Sequence, residues 1–240
     1  MEEKIIDLSW DSEFFGFPVA KLMAENISVN DLKEIYHKNG AELIYYFTDG
    51  IIPDEIKDNI FYKIKLVDTK VSIRKTLNKN ARLHPKISIY DSYEVEPELI
   101  QLAYRAGMHS RFFKDELILN SKFEELYKIW ITKSVKREMA DVILVYRENS
   151  KIIGFTTINT SNTNGREPHV TLLAVDPSYE GRGVSFALMH AIENVLISKG
   201  FFAIWSETQE ENHKAISVYR RHGLAIGEKR YIYHFWRNNL

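Results

Sequence analysis

The segment LLAVDPSYEGRGVSFAL, at residues 172–188, is the most informative part of this sequence for the fold. An apolar run ends at Asp176, glycines follow at positions 181 and 183, and an apolar pattern with helical spacing begins directly after them. This order predicts a strand, a tight glycine turn and a helix N-terminus. Because the leading N–H groups of a helix lack intrahelical partners and carry partial positive charge, such a junction can bind a phosphate through the main chain alone.

The composition of the chain limits the classes of protein to which it can belong. With 45% hydrophobic residues among 240, it can bury a core, and its 32 Lys and Arg nearly balance its 33 Asp and Glu. We therefore expect neither a nucleic-acid nor a membrane partner. The absence of cysteine excludes disulfides, thiolate metal sites and cysteine nucleophiles, and it fits a reducing cytosol. Without a secretory signal pattern or an apolar run of about 20 residues, the chain is expected to be soluble and cytoplasmic.

Two α/β segments are predicted along the chain. In the first, Ser28 and Asp31 have the spacing of an N-terminal helix cap, and β-branched or aromatic runs predict strands. These strands are expected at residues 16–22, 41–48, 61–67 and 70–77. Residues 78–92 are polar and turn-rich, which favours a boundary there. We therefore expect a small N-terminal α/β domain at residues 1–90, on the acceptor side, and a second domain at residues 91–240.

The second segment alternates between helical and strand patterns. Helices are predicted at 98–107 and 123–135, then a hairpin of 143–147 and 152–160, a turn at 161–167, and the strand 169–175. After the glycine loop and its helix come a strand at 201–207, a helix at 210–223 and a strand at 230–236. The predicted fold class is therefore α/β (α+β), with a mixed sheet flanked by helices.

Residues 142–236 resemble the catalytic core of the GNAT superfamily of acetyl-CoA-dependent N-acetyltransferases. The loop of that family, Gln/Arg-x-x-Gly-x-Gly/Ala, holds the coenzyme A pyrophosphate, and this chain has EGRGVS at residues 180–185. Glu180 departs from the usual Gln or Arg, and Ser185 departs from the usual Gly or Ala. The resemblance implies a mostly antiparallel sheet and acetyl-CoA as co-substrate. It also implies that acetyl-CoA contacts Leu173, Ala174, Val175, Gly181, Arg182, Gly183, Val184 and Ser185.

A second motif of the same family, Asn-x-x-Ala-x-x-x-Tyr-x-x-x-Gly, is present as Asn212, Ala215, Tyr219 and Gly223. On a helix the first three lie on one face. The resemblance implies that Asn212 and Ala215 bind the coenzyme and that Tyr219 is the general acid for the leaving thiolate. Main-chain N–H groups around Val175 are expected to polarise the carbonyl. Alternatively, Asn212 is only a helix cap or an interior residue, and Tyr219 packs in a core.

A narrower resemblance covers more of the chain. LSWDSEFFGFPVAKL at 8–22 and HSRFFKD at 109–115 resemble the dTDP-fucosamine acetyltransferase type of sugar-nucleotide N-acetyltransferase. This resemblance implies transfer to the 4-amino group of a dTDP-amino-deoxysugar for surface polysaccharide. Candidate acceptor-binding residues are Trp10, Phe15 and Arg111. Core packing remains an alternative for the two aromatic residues, and a surface ion pair for Arg111.

Several points stay open in the sequence. The eight histidines show no spacing typical of metal ligands, so no metal is expected. The general base could be a carboxylate or a water chain, and the oligomeric state, a homodimer included, is not fixed. Two other functions compete with the sugar-nucleotide reading: a GNAT enzyme that acetylates an aminoglycoside, a peptide or an amino acid, and a non-catalytic acyl-CoA-binding protein.

Overall fold

The computed structural model describes residues 4–77, 84–160 and 167–240. The chain divides into two compact units, one of residues 1–70 and 229–240 and one of residues 71–228. These limits differ from those of the predicted domains 1–90 and 91–240, because the end of the chain pairs with a strand near the N-terminus. The assignment of those two domains stays a prediction.

The first unit is a mixed sheet with helices. Its elements are β1 (Lys4–Asp7), α1 (Ser9–Phe15), β2 (Val19–Met23), α2 (Val29–Lys38), β3 (Leu43–Thr48) and α3 (Asp54–Lys57), together with parts of β4 (Tyr62–Thr76) and β10 (Ala225–Arg237). The strand order is β1-β2-β3-β10-β4. β2 and β3 are parallel, and β3 pairs antiparallel with β10.

Local sequence signals explain most elements of this unit. The capping box predicted for α2 is confirmed, because the Ser28 hydroxyl accepts from the Asp31 N–H, and the Asp31 side chain accepts from the Ser28 N–H. The strand predicted at 16–22 begins only at Val19, since α1 extends to Phe15 and Gly16, with a φ of 81°, is its C-cap. The predicted strands 61–67 and 70–77 are one continuous strand, β4.

The second unit contains the glycine loop. Its own elements are β5 (Ile87–Ile89), α4 (Pro97–Gly107), α5 (Arg111–Lys114), α6 (Asn120–Val135), β6 (Val142–Glu148), β7 (Lys151–Asn159), β8 (His169–Val175), α7 (Val184–Ser198), β9 (Ala203–Gln209) and α8 (His213–Arg221). The strand order is β4-β9-β8-β7-β6-β5. β5 to β8 are antiparallel neighbours, whereas β8 and β9 are parallel. Residues 78–83 of the predicted boundary and 161–166 of the predicted turn lie outside the described residues.

Two clusters of buried side chains cover the two faces of this second sheet. The first, which we call the α7 core, includes Val170, Val184, Leu188, Ile192 and Tyr219. The second, the α4 core, includes Leu99, Leu102, Phe123, Ile131 and Leu172. The predicted fold class, a mixed and mostly antiparallel sheet flanked by helices, is confirmed. Among the described residues, no helix combines the length and the apolar character that crossing a bilayer requires.

Candidate active site

The glycine loop has the conformation that its sequence predicts. After β8, the Asp176 side chain accepts a hydrogen bond from the Ser178 N–H at 2.9 Å and so caps a short 3-10 turn. This hydrogen bond is the main cause that lowers the pKa of Asp176. Gly181 and Gly183 have φ angles of 75° and 80°, in the left-handed region that side-chain-bearing residues rarely adopt. The two glycines are therefore required by the backbone itself.

The N-terminus of α7 is open for an anion. Gly183 is the N-cap and offers no side chain, and the Ala187 N–H donates to the Gly183 carbonyl at 2.9 Å. The N–H groups of Val184 and Ser185 precede this first helical bond and have no intrahelical acceptor. A Cβ atom added at Gly181 or Gly183 would meet no heavy atom within 4 Å, so space remains on that side of the loop. The arrangement can hold a phosphate through main-chain donors.

Glu180, the residue that departs from the family pattern, is held by two cations. Its Oε1 accepts from Arg105 of α4 at 2.6 Å, and its Oε2 accepts from Lys214 of α8 at 2.8 Å. The bonds from Lys214 and then from Arg105 lower the pKa of the Glu180 carboxyl. Arg182, in contrast, lies over the ring of Tyr179 with 5.0 Å between the guanidinium carbon and the ring centroid. The carboxylate is thus neutralised by residues from two helices.

Sequence reasoning missed both of these cations. Arg105 gave no signal, because a basic residue near a helix C-terminus is ordinary. Lys214 does give a signal, because it is the second residue of α8. The helix dipole disfavours a positive charge at that end of a helix. A cation at that position indicates a neighbouring anion, which here is Glu180.

β8 carries an irregularity beside the loop. Its pairing with β7 shifts between the pairs Ile158–Val170 and Thr157–Leu172, which leaves Thr171 as the extra residue of a β-bulge. The Thr157 and Thr171 hydroxyls lie 2.6 Å apart, and the Leu172 N–H donates to the Thr157 hydroxyl at 2.9 Å. The bulge reverses the side-chain alternation, so that Val170 and Leu172 pack in different cores.

The bulge also determines which main-chain groups of β8 point away from β7. The N–H groups of Leu172 and Asp176 are directed towards β7, so alternation directs those of Leu173 and Val175 to the opposite side. β9 lies on that side, and it pairs with the beginning of β8 through His169–Trp205 and Val170–Ser206. The side chains of Leu173 and Val175 pack against the α7 core, whereas Ala174 packs in the α4 core.

α8 carries the second motif. Asn212 is its N-cap, and the Asn212 Oδ1 accepts from the Ala215 N–H at 3.1 Å, which matches the capping alternative. Tyr219 is 7% exposed and belongs to the α7 core, against which Ala215 also packs. Burial raises the pKa of Tyr219 to about 12. Within the described part of the chain, no hydrogen bond involves the Tyr219 hydroxyl.

The structure brings four of the ten predicted coenzyme-binding residues, together with Tyr219, around one core. Leu173, Val175, Val184, Ala215 and Tyr219 all pack in or against the α7 core. The loop glycines and Ser185 lie at the end of the helix that forms this core. The ligand roles of all these residues, and of Ala174, stay predictions.

The candidate acceptor residues lie in different units. Trp10 belongs to the first unit and stacks on Phe14 with 5.1 Å between ring centroids, and Phe15 contacts Phe14 edge-on at 4.9 Å. Arg111 belongs to the second unit and begins α5, with its guanidinium carbon 4.5 Å from the ring centroid of Phe112. Their role in acceptor binding stays a prediction.

A cavity of about 580 Å³ opens in the second unit between α4 and the start of the loop. Its walls are mainly apolar and include Leu102, Phe113, Phe123 and Pro177. Leu102 and Phe123 belong to the α4 core, so this cavity lies on the other face of the sheet from Tyr219. It adjoins the start of the loop through Asp176 and Pro177.

Comparison with known proteins agrees with this geometry. The sequence pattern of the acetyltransferase (GNAT) family matches residues 107–224, which include the loop, α7 and α8. The spore coat polysaccharide biosynthesis protein SpsD of Bacillus subtilis is 26% identical over 138 residues, which are 58% of this chain and 46% of that protein. The matched region thus spans less than half of the length of this relative.

Two solved structures have a similar fold. A putative acetyltransferase of the GNAT family from Novosphingobium aromaticivorans matches 93% of this chain and 85% of its own, with a TM-score of 0.56 and 12% identity. A GCN5-related N-acetyltransferase from Sphaerobacter thermophilus matches 98% of this chain and 77% of its own, with a TM-score of 0.57 and 13% identity. At these identities the likeness concerns the fold alone. Residues 107–224, just under half of this chain, thus match the acetyltransferase (GNAT) family.

Proposed function

We propose that the protein transfers the acetyl group of acetyl-CoA to the amino group of a small acceptor. The observation that carries this proposal is the junction of Gly181, Gly183 and the open N-terminus of α7 beside the core that contains Tyr219. The main-chain donors and the partial positive charge at the N-terminus of α7 suit a pyrophosphate, and coenzyme A contains one. Coenzyme A also carries a long, thin pantetheine chain, for which a small residue at position 215 leaves room beside α8.

The chemistry needs three contributions from the chain. A base, either a carboxylate or a water chain, takes a proton from the amine as the nitrogen attacks the thioester carbonyl. The carbonyl oxygen gains negative charge, and the C–S bond then breaks to release the thiolate of coenzyme A, which takes a proton from an acid. The N–H groups of Leu173 and Val175, directed away from β7, are our candidates for the oxyanion donors. Tyr219 would donate its proton to the thiolate, because a phenol with a pKa of about 12 is fully protonated at neutral pH.

For the acceptor, we propose the 4-amino group of a dTDP-amino-deoxysugar used in surface polysaccharide. The similar SpsD of Bacillus subtilis is named for spore coat polysaccharide biosynthesis, which supports this class of acceptor. The residues that resemble sugar-nucleotide N-acetyltransferases support it as well. In this proposal Trp10 and Phe15 offer aromatic faces to a base or sugar ring, and Arg111 pairs with a phosphate.

A panel of acceptors in a thiol-release assay tests the proposal. It contains dTDP-4-amino-4,6-dideoxysugars that differ in configuration at C4, aminoglycosides, short peptides and free amino acids. We expect kcat/KM for one dTDP-sugar to exceed that of every other class by roughly 10²-fold or more, because only this acceptor engages the nucleotide contacts. The matched 4-hydroxy sugar nucleotide, which lacks the amine, serves as the control.

Other outcomes of the same panel would support the competing functions. Turnover of peptides or aminoglycosides without any turnover of dTDP-sugars would contradict the proposed class of acceptor but would support acetyl transfer. Tight binding of coenzyme A in calorimetry without turnover of any amine would indicate a non-catalytic acyl-CoA-binding protein. A chain that does not bind coenzyme A would refute acetyl transfer itself.

A further inference from the structure

A buried polar cluster joins α7 to the end of α8. His190 and Glu193 lie one turn apart on α7, and His222 directly follows the last residue of α8. One potential ligand atom from each of the three side chains lies within 4.8 Å of those of the other two. Glu193 and His222 are 2% and 4% exposed. Three groups that can bind a metal therefore converge where little solvent reaches them.

Two nitrogens in this cluster lack hydrogen-bond partners. The Nδ1 atoms of His190 and His222 are buried, and neither has a partner among the described residues. On the other side of the ring, His222 Nε2 is 3.0 Å from Glu193 Oε1. Because buried polar atoms in folded proteins almost always have a partner, the unsatisfied Nδ1 of His190 points to a component that the chain does not supply, whereas His222 faces Glu193 through Nε2.

We propose that His190, Glu193 and His222 bind a divalent transition-metal ion of the zinc class. Two imidazoles and one carboxylate are a ligand set that zinc accepts, with a fourth position for water. At metal–ligand distances of about 2.0–2.2 Å, tetrahedral ligand atoms lie about 3.4 Å apart, so the side chains would close by roughly 1 Å. The bound ion would fasten α7 to the end of α8, the helix that carries Tyr219.

The spacing of the histidines did not predict a metal site, because the three proposed ligands are not close together in the sequence. His190 and Glu193 are three residues apart, a separation common on any helix, and His222 comes 29 residues after Glu193. Only the packing of α8 against α7 brings the third side chain to the first two. The proposal does not depend on the acetyl-transfer function, because none of the three residues belongs to the loop or the second motif.

Lys75 of β4 limits the affinity of this site. Its ammonium donates to Glu193 Oε1 and to the His222 carbonyl, the latter at 2.7 Å. A positive charge this close repels a divalent cation, and the carboxylate oxygen it occupies is not free for the metal. The ion would therefore use the other oxygen, Oε2, and would bind against the field of the lysine. Removal of that charge should strengthen metal binding, whereas removal of a ligand should weaken it. The two kinds of variant therefore test the site with opposite expected effects.

Titration of the full, chelator-treated chain with ZnCl2 in a calorimeter tests the proposal, with the visible absorption of CoCl2 as a second readout. We expect one saturable site per chain and the absorption bands of tetrahedral Co²⁺. His190→Ala should weaken zinc binding at least 10-fold, whereas His213→Ala, which removes an exposed histidine of α8, should leave it unchanged. Lys75→Met should tighten binding at least 3-fold.

Two results would overturn the site: no saturable binding of either metal by the wild-type chain, or equal affinities of the His190→Ala and His213→Ala variants. If His190→Ala fails to fold, as judged by circular dichroism, His190→Gln keeps most of the side-chain volume and replaces it. Lys75→Met, checked by circular dichroism in the same way, provides the independent test, because its expected change of affinity is opposite in sign to that of a lost ligand. A Lys75→Met variant with unchanged or weaker binding would refute the proposed geometry.

Discussion

Glu180 accepts a hydrogen bond from Lys214, with 2.8 Å between Oε2 and Nζ, although the two residues lie 34 positions apart in the sequence. The carboxylate stands in the loop that the family uses for a pyrophosphate, where a negative charge would repel the ligand. Lys214 and Arg105 together offset it and, because they belong to α8 and α4, they link the loop to two helices. The three side chains carry a net positive charge of one beside the open N-terminus of α7.

Glu180→Gln should therefore strengthen coenzyme A binding. The substitution removes the negative charge but keeps the shape of the side chain, so the net charge of positions 180, 214 and 105 rises from one to two. We therefore expect the Kd for coenzyme A to fall by roughly 3- to 10-fold at low salt. Calorimetry measures the change, with Glu148→Gln as the control, since Glu148 pairs with Lys86 and not with the loop. Weaker binding in Glu180→Gln would mean that the ion pairs matter mainly for holding the loop in shape.

Gly183→Ala should weaken coenzyme A binding out of proportion to its effect on stability. A left-handed φ of 80° costs a non-glycine residue about 1–2 kcal/mol, and the new Cβ would enter the space above the loop. Gly200→Ala is a matched control, because Gly200 has a φ of 84° and equally open surroundings but lies beyond the other end of α7. Both variants should lose similar unfolding free energy, and only Gly183→Ala should lose affinity, by at least 10-fold. Equal affinities in the two variants would argue against phosphate binding at this loop.

The parts of the fold that the sequence predicted are those with local causes. The loop and α7 follow from two glycines and an apolar period, and α2 follows from a capping box, all within a few residues of one another. Arg105, one partner of Glu180, could not be predicted in this way, since it lies 75 positions away and reaches the loop through the packing of α4.

Strand irregularities were missed for a related reason. Asp68 and Thr69 have the polar character of a turn, yet β4 runs through them, because strands that pair with β4 on both sides outweigh a weak local preference. The bulge at Thr171 was equally hidden, since nothing in HVTLLAV distinguishes the extra residue. Only the register of β8 against β7 reveals it. The part of the candidate site made by local loops was thus predictable, and the part made by sheet register was not.

Tyr219→Phe should lower kcat by about 10²-fold with little change in the KM for acetyl-CoA, as expected when a general acid is lost. Stability at neutral pH should be nearly unchanged, because the hydroxyl makes no hydrogen bond within the described part of the chain. Tyr146→Phe is the control, since Tyr146 is buried in the same α7 core. Steady-state kinetics of both variants would decide, and an unaffected kcat in Tyr219→Phe would remove the proposed role.

The raised pKa of Tyr219 predicts a defined loss of stability in alkali. Burial raises this pKa to about 12 in the folded chain, against about 10 when unfolded, so the folded state keeps the proton longer. The resulting stabilisation is fully present below pH 10 and is lost as the pH rises through 12, and it is on the order of 3 kcal/mol. Urea unfolding at several pH values should therefore show a steeper alkaline decline for the wild type than for Tyr219→Phe. Parallel declines would contradict burial of the phenol.

Thr157→Val and Thr156→Val should have different effects although both residues are fully buried neighbours on β7. Thr157 accepts the Leu172 N–H, so valine there leaves a buried donor unpaired, which costs about 1–3 kcal/mol and disturbs the bulge that directs the Leu173 N–H. The Thr156 hydroxyl has no hydrogen-bond partner among the described residues, and its replacement by a methyl group should be neutral or stabilising. Denaturant unfolding and kcat measure both consequences. We expect only Thr157→Val to lower both the free energy of unfolding and kcat. Equal stability and equal kcat of the two variants would show that the bulge does not position the main chain of β8.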